Sequence, residues 1–135
     1  MALVIVKDRL WQPIGYWPHE GQIKVHRSAA RHRVNAAGRR FGKSQVGGHE
    51  LVPEAFRAKM NQGRLEALGM RMEFWIIGPN YTDAEKEFRV FYNDCRKLKM
   101  PFDRPGTYND VRGGDMQISL WEGRFLVQAK SGAHP

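Results

Sequence analysis

Residues 33–48 read RVNAAGRRFGKSQVGG, and this stretch decides the fold. Residues 34–37 (VNAA) are mostly apolar and predict a short buried strand, whereas the glycines within residues 38–42 interrupt the apolar pattern. A helix is predicted from Lys43 to about Lys59, although two adjacent glycines and a proline weaken or kink it. A strand that runs into a helix through a glycine-containing loop is typical of an α/β fold.

Two segments precede this unit. Residues 11–18 (WQPIGYWP) are rich in aromatic residues and proline, so they predict an irregular lead-in. Residues 19–31 predict a short helix. The lead-in is assigned to residues 1–18 and a single compact core to residues 19–135, because a chain of 135 residues has room for only one domain.

Downstream, residues 60–72 predict a connection, and residues 73–78 (EFWIIG) predict a strand because they are aromatic and β-branched. Thr82 and Glu85 form a capping box that starts a helix. This helix is predicted to run to about Lys97, with apolar residues repeating at a 3.6-residue period.

A hairpin is predicted near the C-terminus. After a glycine- and proline-rich loop at residues 101–114, residues 116–121 and 124–129 predict two strands joined by the two-residue turn Glu122-Gly123. The order of elements predicts an α/β fold with flanking helices. Its sheet is expected to be mainly parallel and to end in the C-terminal β-hairpin.

The composition is that of a folded, basic protein. Hydrophobic residues make up 41% and charged residues 27%, which argues against wholesale disorder. No stretch has the roughly 18 apolar residues that a membrane span needs. The single cysteine excludes an internal disulfide, and the histidine spacing excludes a zinc site. The net charge is +8, and residues 21–49 contain no acidic residue, which favours nucleic acid or nucleotide phosphates as a partner.

Part of the opening stretch fits the phosphate-binding motif [AG]-x-x-x-x-G-K-[ST], with alanine in place of the first glycine. The matching residues are Ala37, Gly38, Arg39, Arg40, Phe41, Gly42, Lys43 and Ser44. In such a loop, backbone N–H groups at a helix N-terminus surround the phosphate oxygens, and glycine allows the close approach. Lys43 is predicted to reach the β- and γ-phosphates, and the Ser44 hydroxyl to bind Mg²⁺.

The two arginines within the loop are unusual, because bulky residues crowd the phosphates. Arg39 or Arg40 can face solvent, or can add positive charge opposite the γ-phosphate, where charge develops in the transition state. An arginine in that position raises the rate of phosphoryl transfer about 10³–10⁵-fold. We therefore predict catalytic roles for Lys43 and Arg39, with Arg40 as the less favoured candidate.

The loop AAGRRFGKS resembles the variant Walker A loop of the large terminase subunits of tailed bacteriophages, which carry an early arginine and often lack the first glycine. Residues 16–22 (YWPHEGQ) are similar to a terminase segment in which a Pro-His pair precedes a glutamine. That likeness implies that Gln22 contacts the adenine edge, for which an amide offers both a donor and an acceptor. Residues 75–85 (WIIGPNYTDAE) resemble a terminase strand–turn–helix and serve as a family marker.

A complete motor of this family also needs a Walker B strand that ends in two acidic residues, which hold the Mg²⁺ shell and orient the attacking water. Residues 118–122 (ISLWE) come nearest, but Glu122 stands in the predicted turn and is expected to face solvent. The resemblance therefore implies an incomplete P-loop NTPase domain, the N-terminal part of a terminase motor, from a truncated, partial or split gene. By itself the chain is expected to bind ATP weakly and to hydrolyse little.

The resemblance implies an ATPase that uses ATP and Mg²⁺ to move double-stranded DNA into a viral capsid. It also implies a homo-oligomeric ring, a portal protein and a small terminase subunit as partners, and the cytoplasm of the infected bacterial host as the location. Two alternatives stay open from the residues alone. One is another P-loop nucleic-acid ATPase, such as a helicase, and the other is a basic nucleic-acid-binding module in which the motif is accidental.

Overall fold

The computed structural model describes residues 7–28, 42–103 and 116–131. Five helices and three strands lie within these ranges. In chain order they are α1 (Asp8–Ile14), α2 (Glu20–Arg27), α3 (Lys43–Met60), α4 (Gln62–Ala67), β1 (Met72–Gly78), α5 (Tyr81–Lys97), β2 (Gln117–Leu120) and β3 (Phe125–Ser131). The α/β class predicted from the sequence is confirmed, whereas the predicted strand at residues 34–37 lies outside the described residues.

The three described strands form a mixed sheet in the order β1-β3-β2. β1 and β3 are parallel and in register from Met72 opposite Phe125 to Gly78 opposite Ser131. β2 is antiparallel to β3 and forms the predicted hairpin with it. Because β1 and β3 run in the same direction, their carboxyl ends meet at one edge of the sheet, where Ser131 Oγ donates to the carbonyl oxygen of Pro79 at 3.3 Å.

The main core lies between this sheet and the helices α3 and α5. Phe88 and Phe91 of α5 are fully buried, as are Phe125 and Val127 of β3. The 3.6-residue spacing in α5 predicted this buried face, and it also buries Cys95. Apolar side chains from helix and sheet therefore hold α5 firmly across the strands.

Helix α3 is continuous over 18 residues, through Pro53 and both of its adjacent glycines. The glycines have a packing role. A Cβ atom built on Gly48 would lie 2.5 Å from Cβ of Val90 and 2.9 Å from the carbonyl oxygen of Glu87, both on α5. Only a residue without a side chain allows the two helices to come this close.

The N-terminal segment differs from its prediction. Residues 11–14 are not irregular but belong to α1, and Gly15 ends that helix in a left-handed conformation. Trp11, Ile14 and Tyr16 form a second, smaller buried cluster. Burial of these large apolar side chains outweighs the low helix propensity of the proline within α1.

The start of α5 also needs a correction. The N-cap lies two residues before the predicted one, because Asn80 takes this place and its side-chain oxygen accepts from the backbone N–H of Asp83 at 2.9 Å. Asparagine is at least as good a cap as threonine. Thr82 therefore lies within the first turn of α5 instead of preceding it.

The hairpin turn is longer than predicted. Leu120 pairs with Phe125, so four residues, not two, connect β2 and β3. Trp121 and Glu122 both have a φ of 57°, a left-handed conformation that side chains disfavour. The Asp103 carboxylate stabilises this turn by accepting from the backbone N–H groups of Glu122 at 2.9 Å and Gly123 at 2.8 Å. Glu122 is exposed, as its predicted place in a turn implied.

The four tryptophans differ in burial. Trp11 and Trp121 are buried, but Trp17 is 75% exposed and Trp75 is 60% exposed. The indole of Trp121 is fixed by donating to the carbonyl oxygen of Ala55 at 2.8 Å. Within the described ranges, none of the helices combines the length and apolar character that crossing a bilayer requires.

The close approach of α3 to α5 can be tested with Gly48→Ala. The added methyl collides with Val90 and with backbone of α5, so we expect a loss of about 1–3 kcal/mol in the free energy of unfolding, measured by denaturant titration. Gly63→Ala is the matched control, since a Cβ at Gly63 meets nothing within 4 Å. It should be neutral or stabilise the protein by up to about 1 kcal/mol. Equal stability of the two variants would contradict this account of the packing.

Candidate functional site

The centre of the candidate site is the N-terminus of α3. Gly42 is its N-cap and has the left-handed values φ 87° and ψ 36°. Gly42 has no side chain with which to cap this end of the helix, and the first turn contains no acidic residue. The aligned peptide dipoles therefore leave partial positive charge where Lys43 and Ser44 begin the helix. Lys43 is exposed and Ser44 is half-buried.

Gln22 contacts this helix start directly. Its Nε2 donates to the carbonyl oxygen of Gly42 at 3.2 Å. Its Oε1 accepts from the backbone N–H of His19 at 2.9 Å, while Nδ1 of His19 accepts from the N–H groups of Gly21 and Gln22. This reciprocal capping box fixes the start of α2. Two segments that the sequence singled out separately are thus joined by one amide, which is 6% exposed.

The other residues of the predicted loop lie outside the described residues. They are Ala37, Gly38, Arg39, Arg40 and Phe41. Of the site predicted from the sequence, the structure thus describes Gln22, Gly42, Lys43 and Ser44. It brings Gln22 and Gly42 into contact.

A groove of about 550 Å³ opens between the first turn of α3 and the outer face of α5. Its lining is polar and charged, apart from one valine. The lining residues are Ser44, Gln45, Thr82, Glu85, Lys86, Arg89, Val90 and Asn93. Arg89 pairs with Glu85, and Lys86 lies 3.5 Å from Asp83, so the basic groups here are partly balanced by carboxylates. The groove therefore extends the start of α3 into a space that a charged ligand can enter.

A buried hydrogen-bonded pair of side chains holds α3 against α5 behind this groove. Nδ1 of His49 contacts the Asp94 carboxylate, and both side chains are almost completely buried. Burial raises the pKa of Asp94, although the hydrogen bond with His49 opposes that rise. The Tyr16 ring stacks on His49 with their centroids 3.9 Å apart.

A second polar cluster ties α1 and α2 to α3. Glu50 contacts the Lys7 ammonium, and Nδ1 of His26 lies 2.5 Å from its second oxygen. Burial alone would raise the pKa of Glu50, but the hydrogen bonds from His26 and Lys7 outweigh it and leave that pKa below its ordinary value. Nε2 of His26 also hydrogen-bonds to the Tyr16 hydroxyl at 2.9 Å. These contacts fix α2, and with it Gln22, relative to α3.

In the part of the chain that the structure describes, three or more His, Cys, Asp or Glu side chains never gather into a group able to hold a metal ion. Four residues with side-chain oxygens line one groove, namely Ser44, Thr82, Glu85 and Asn93. Oxygen ligands of this kind suit Mg²⁺, which keeps several waters and binds through few protein groups and substrate phosphates.

Comparisons with known proteins identify relatives of the chain. The large terminase subunit of Thermus phage G20c is 38% identical to the chain over 95 residues, which cover 70% of this chain and 17% of that protein. The large terminase subunit of Thermus virus P23-45 matches to the same extent. No protein-family model matches the chain.

A solved structure also resembles the fold of this chain. The large terminase ATPase domain of Thermus phage P74-26 matches 92% of this chain with a TM-score of 0.60 and 26% sequence identity. The chain is a relative of phage large terminase subunits. It spans about a sixth of the length of these curated terminase relatives and about half of the solved terminase ATPase domain.

The contact between Gln22 and Gly42 can be tested with a double-mutant cycle in this terminase relative. A Cβ at Gly42 would lie 2.4 Å from Nε2 of Gln22, and the left-handed conformation adds strain of about 1–2 kcal/mol for any L-residue with a side chain. We expect Gly42→Ala to cost less in the Gln22→Ala background, with a coupling of about 1 kcal/mol in unfolding free energy. Strictly additive losses would contradict the contact.

Proposed function

We propose that this chain is the nucleotide-binding part of a DNA-packaging motor ATPase, and that residues 37–44 bind the triphosphate of ATP. The observation that carries the proposal is the hydrogen bond between Gln22 and Gly42, which joins the predicted base contact to the predicted phosphate loop. It occurs at the N-terminus of α3 in a relative of large terminase subunits.

The phosphate site follows from the start of α3. The left-handed Gly42 turns the chain into the helix, so that the first-turn N–H groups face the loop side. The β- and γ-phosphates bind there, favoured by the positive end of an 18-residue helix. Lys43 supplies a full positive charge at this end. Ala37, Gly38, Arg39, Arg40 and Phe41 complete the loop.

Ser44 is the proposed protein ligand of Mg²⁺. Ser44 lines the groove directly after Lys43, so its hydroxyl would hold a Mg²⁺ ion that accompanies the phosphates. The ion supplies charge neutralisation for phosphoryl transfer. Arg39 is proposed to stabilise the charge that develops on the γ-phosphate in the transition state.

Gln22 is proposed to contact adenine through the amide hydrogen and the oxygen lone pair that its bonds to Gly42 and His19 do not use. Its amide nitrogen carries two hydrogens, of which one bonds to Gly42, and its oxygen has two lone pairs, of which one bonds to His19. A base contact through this amide would couple the adenine site to the phosphate loop.

In the full-length protein, we propose that hydrolysis of ATP drives double-stranded DNA into the capsid. The motor would act as a homo-oligomeric ring with the portal protein and the small terminase subunit, in the cytoplasm of the infected host. The basic residues would contact the DNA backbone rather than base edges, because packaging must tolerate any sequence. The present chain is proposed to bind nucleotide without substantial hydrolysis.

The phosphate site is tested by Lys43→Ala, with Lys59→Ala at the other end of α3 as a control of equal charge. We expect Lys43→Ala to weaken MgATP binding at least tenfold in calorimetry and to leave the circular dichroism spectrum unchanged, while Lys59→Ala binds like the wild type. Unchanged affinity in Lys43→Ala would refute the loop assignment. DNA binding that depends on salt but not on ATP would favour the basic module instead.

The base contact is tested by Gln22→Ala, with Gln12→Ala on the exposed face of α1 as the control. We expect Gln22→Ala to weaken MgATP about three- to tenfold and MgGTP or MgCTP less, because one hydrogen bond to adenine is lost. Equal weakening of all nucleotides would assign Gln22 to positioning of the loop alone.

A further inference from the structure

Trp17 differs from the other aromatic residues of the N-terminal segment. It is 75% exposed, whereas Trp11 and Tyr16 are buried. Tyr16 is held inside because its hydroxyl hydrogen-bonds to Nε2 of His26 at 2.9 Å and its ring stacks on His49. The residue before a proline favours an extended backbone, in which successive side chains point to opposite sides. With Tyr16 buried, the indole of Trp17 is therefore left in solvent.

The backbone at Trp17 is fixed on both sides. Before it, the N–H of Tyr16 donates to the carbonyl oxygen of Trp11 at 3.0 Å, at the end of α1. After it, the ring of Pro18 restricts φ, and His19 is the N-cap of α2. A tryptophan side chain has only two rotatable bonds, so it loses little conformational entropy when it binds a ligand. Trp17 therefore presents a large aromatic surface on a fixed backbone.

This surface lies close to the proposed base contact. The backbone N–H of His19 donates to Oε1 of Gln22 at 2.9 Å. Two residues of chain reach at most about 7 Å, so the Cα atom of Trp17 lies within that distance of the Cα atom of His19. The indole and an adenine ring each extend several ångströms further. An adenine whose edge meets the Gln22 amide is therefore within reach of the indole of Trp17.

An amide and an indole can bind the same base in different ways. Hydrogen bonds from an amide lie in the plane of the base and leave its two faces free, whereas an aromatic side chain stacks on a face. Trp75, the other strongly exposed tryptophan, is placed differently. Nζ of Lys130 lies 5.3 Å from the centroid of its ring, and its indole N–H donates to Glu73 at 3.2 Å. One face of Trp75 is thus already covered by a cation.

We propose that Trp17 is the residue on which the base of the bound nucleotide stacks, with the Gln22 amide at the edge of the same base. Stacking supplies affinity that depends little on which base is present, and the amide supplies the preference for adenine. The inference rests on the proposed function and adds to it a residue that binds the base, before α2, apart from the phosphate loop at the start of α3.

The test is calorimetry with MgATP and with magnesium tripolyphosphate, which has no base. It compares the wild type, Trp17→Ala and Trp17→Phe, with Trp75→Ala as the matched control. We expect Trp17→Ala to weaken MgATP binding about tenfold, because one stacking contact is lost, and to leave the affinity for tripolyphosphate unchanged. Trp17→Phe keeps an aromatic face and should retain most of the MgATP affinity, and Trp75→Ala should bind like the wild type.

Tryptophan fluorescence gives a second readout. A stacked base quenches indole emission, so MgATP should quench the wild type and Trp75→Phe, whereas Trp17→Phe should bind MgATP with little quenching. Three results would overturn this inference alone: equal MgATP affinity of Trp17→Ala and wild type, an equal loss of affinity for tripolyphosphate, or full quenching in Trp17→Phe. A wild-type chain that fails to bind MgATP would overturn the proposed function, and this inference with it.

Discussion

The close packing of α3 on α5 is the constraint on which the rest of the structure depends. Gly48 removes the side chain that would hold the two helices apart, and the pair of His49 and Asp94 adds a polar contact at the same interface. This polar contact fixes the axial position of α3 more strictly than apolar packing does. If α3 moved along its axis, a buried charge would lose its partner. The axial position of α3, and thus of Lys43 and Ser44, is set by these two features together.

A second constraint acts on the other side of α3. Glu50 draws together Lys7 and His26, so that α1 and α2 are attached to the helix one residue beyond His49. The capping box of α2 then presents Gln22 to Gly42. One helix therefore organises both halves of the proposed site, the phosphate side through its own N-terminus and the base side through the helices that pack on it.

Much of the fold was predictable because it follows from local patterns. The apolar period of α5 identified the buried face with Phe88 and Phe91, and the β-branched run of β1 identified a strand. The predictions failed where a contact between residues distant in sequence determines the local structure. Trp11 becomes helical because it is buried, and the turn after β2 lengthens because Asp103 satisfies its backbone N–H groups. Asn80, not Thr82, caps α5. The sequence could not predict this choice, because both residue types are good N-caps.

The sequence by itself predicted the type of site, because phosphate binding needs glycine, lysine and a hydroxyl at a spacing that a single helix start provides. It also identified Gln22 and Gly42 as separate candidates. Only the tertiary structure decided that these two residues touch, and that His49 joins Gln45 to Asp94 across 45 residues of chain. The physical reason is that hydrogen bonds between distant residues depend on how the helices pack, which no local pattern records.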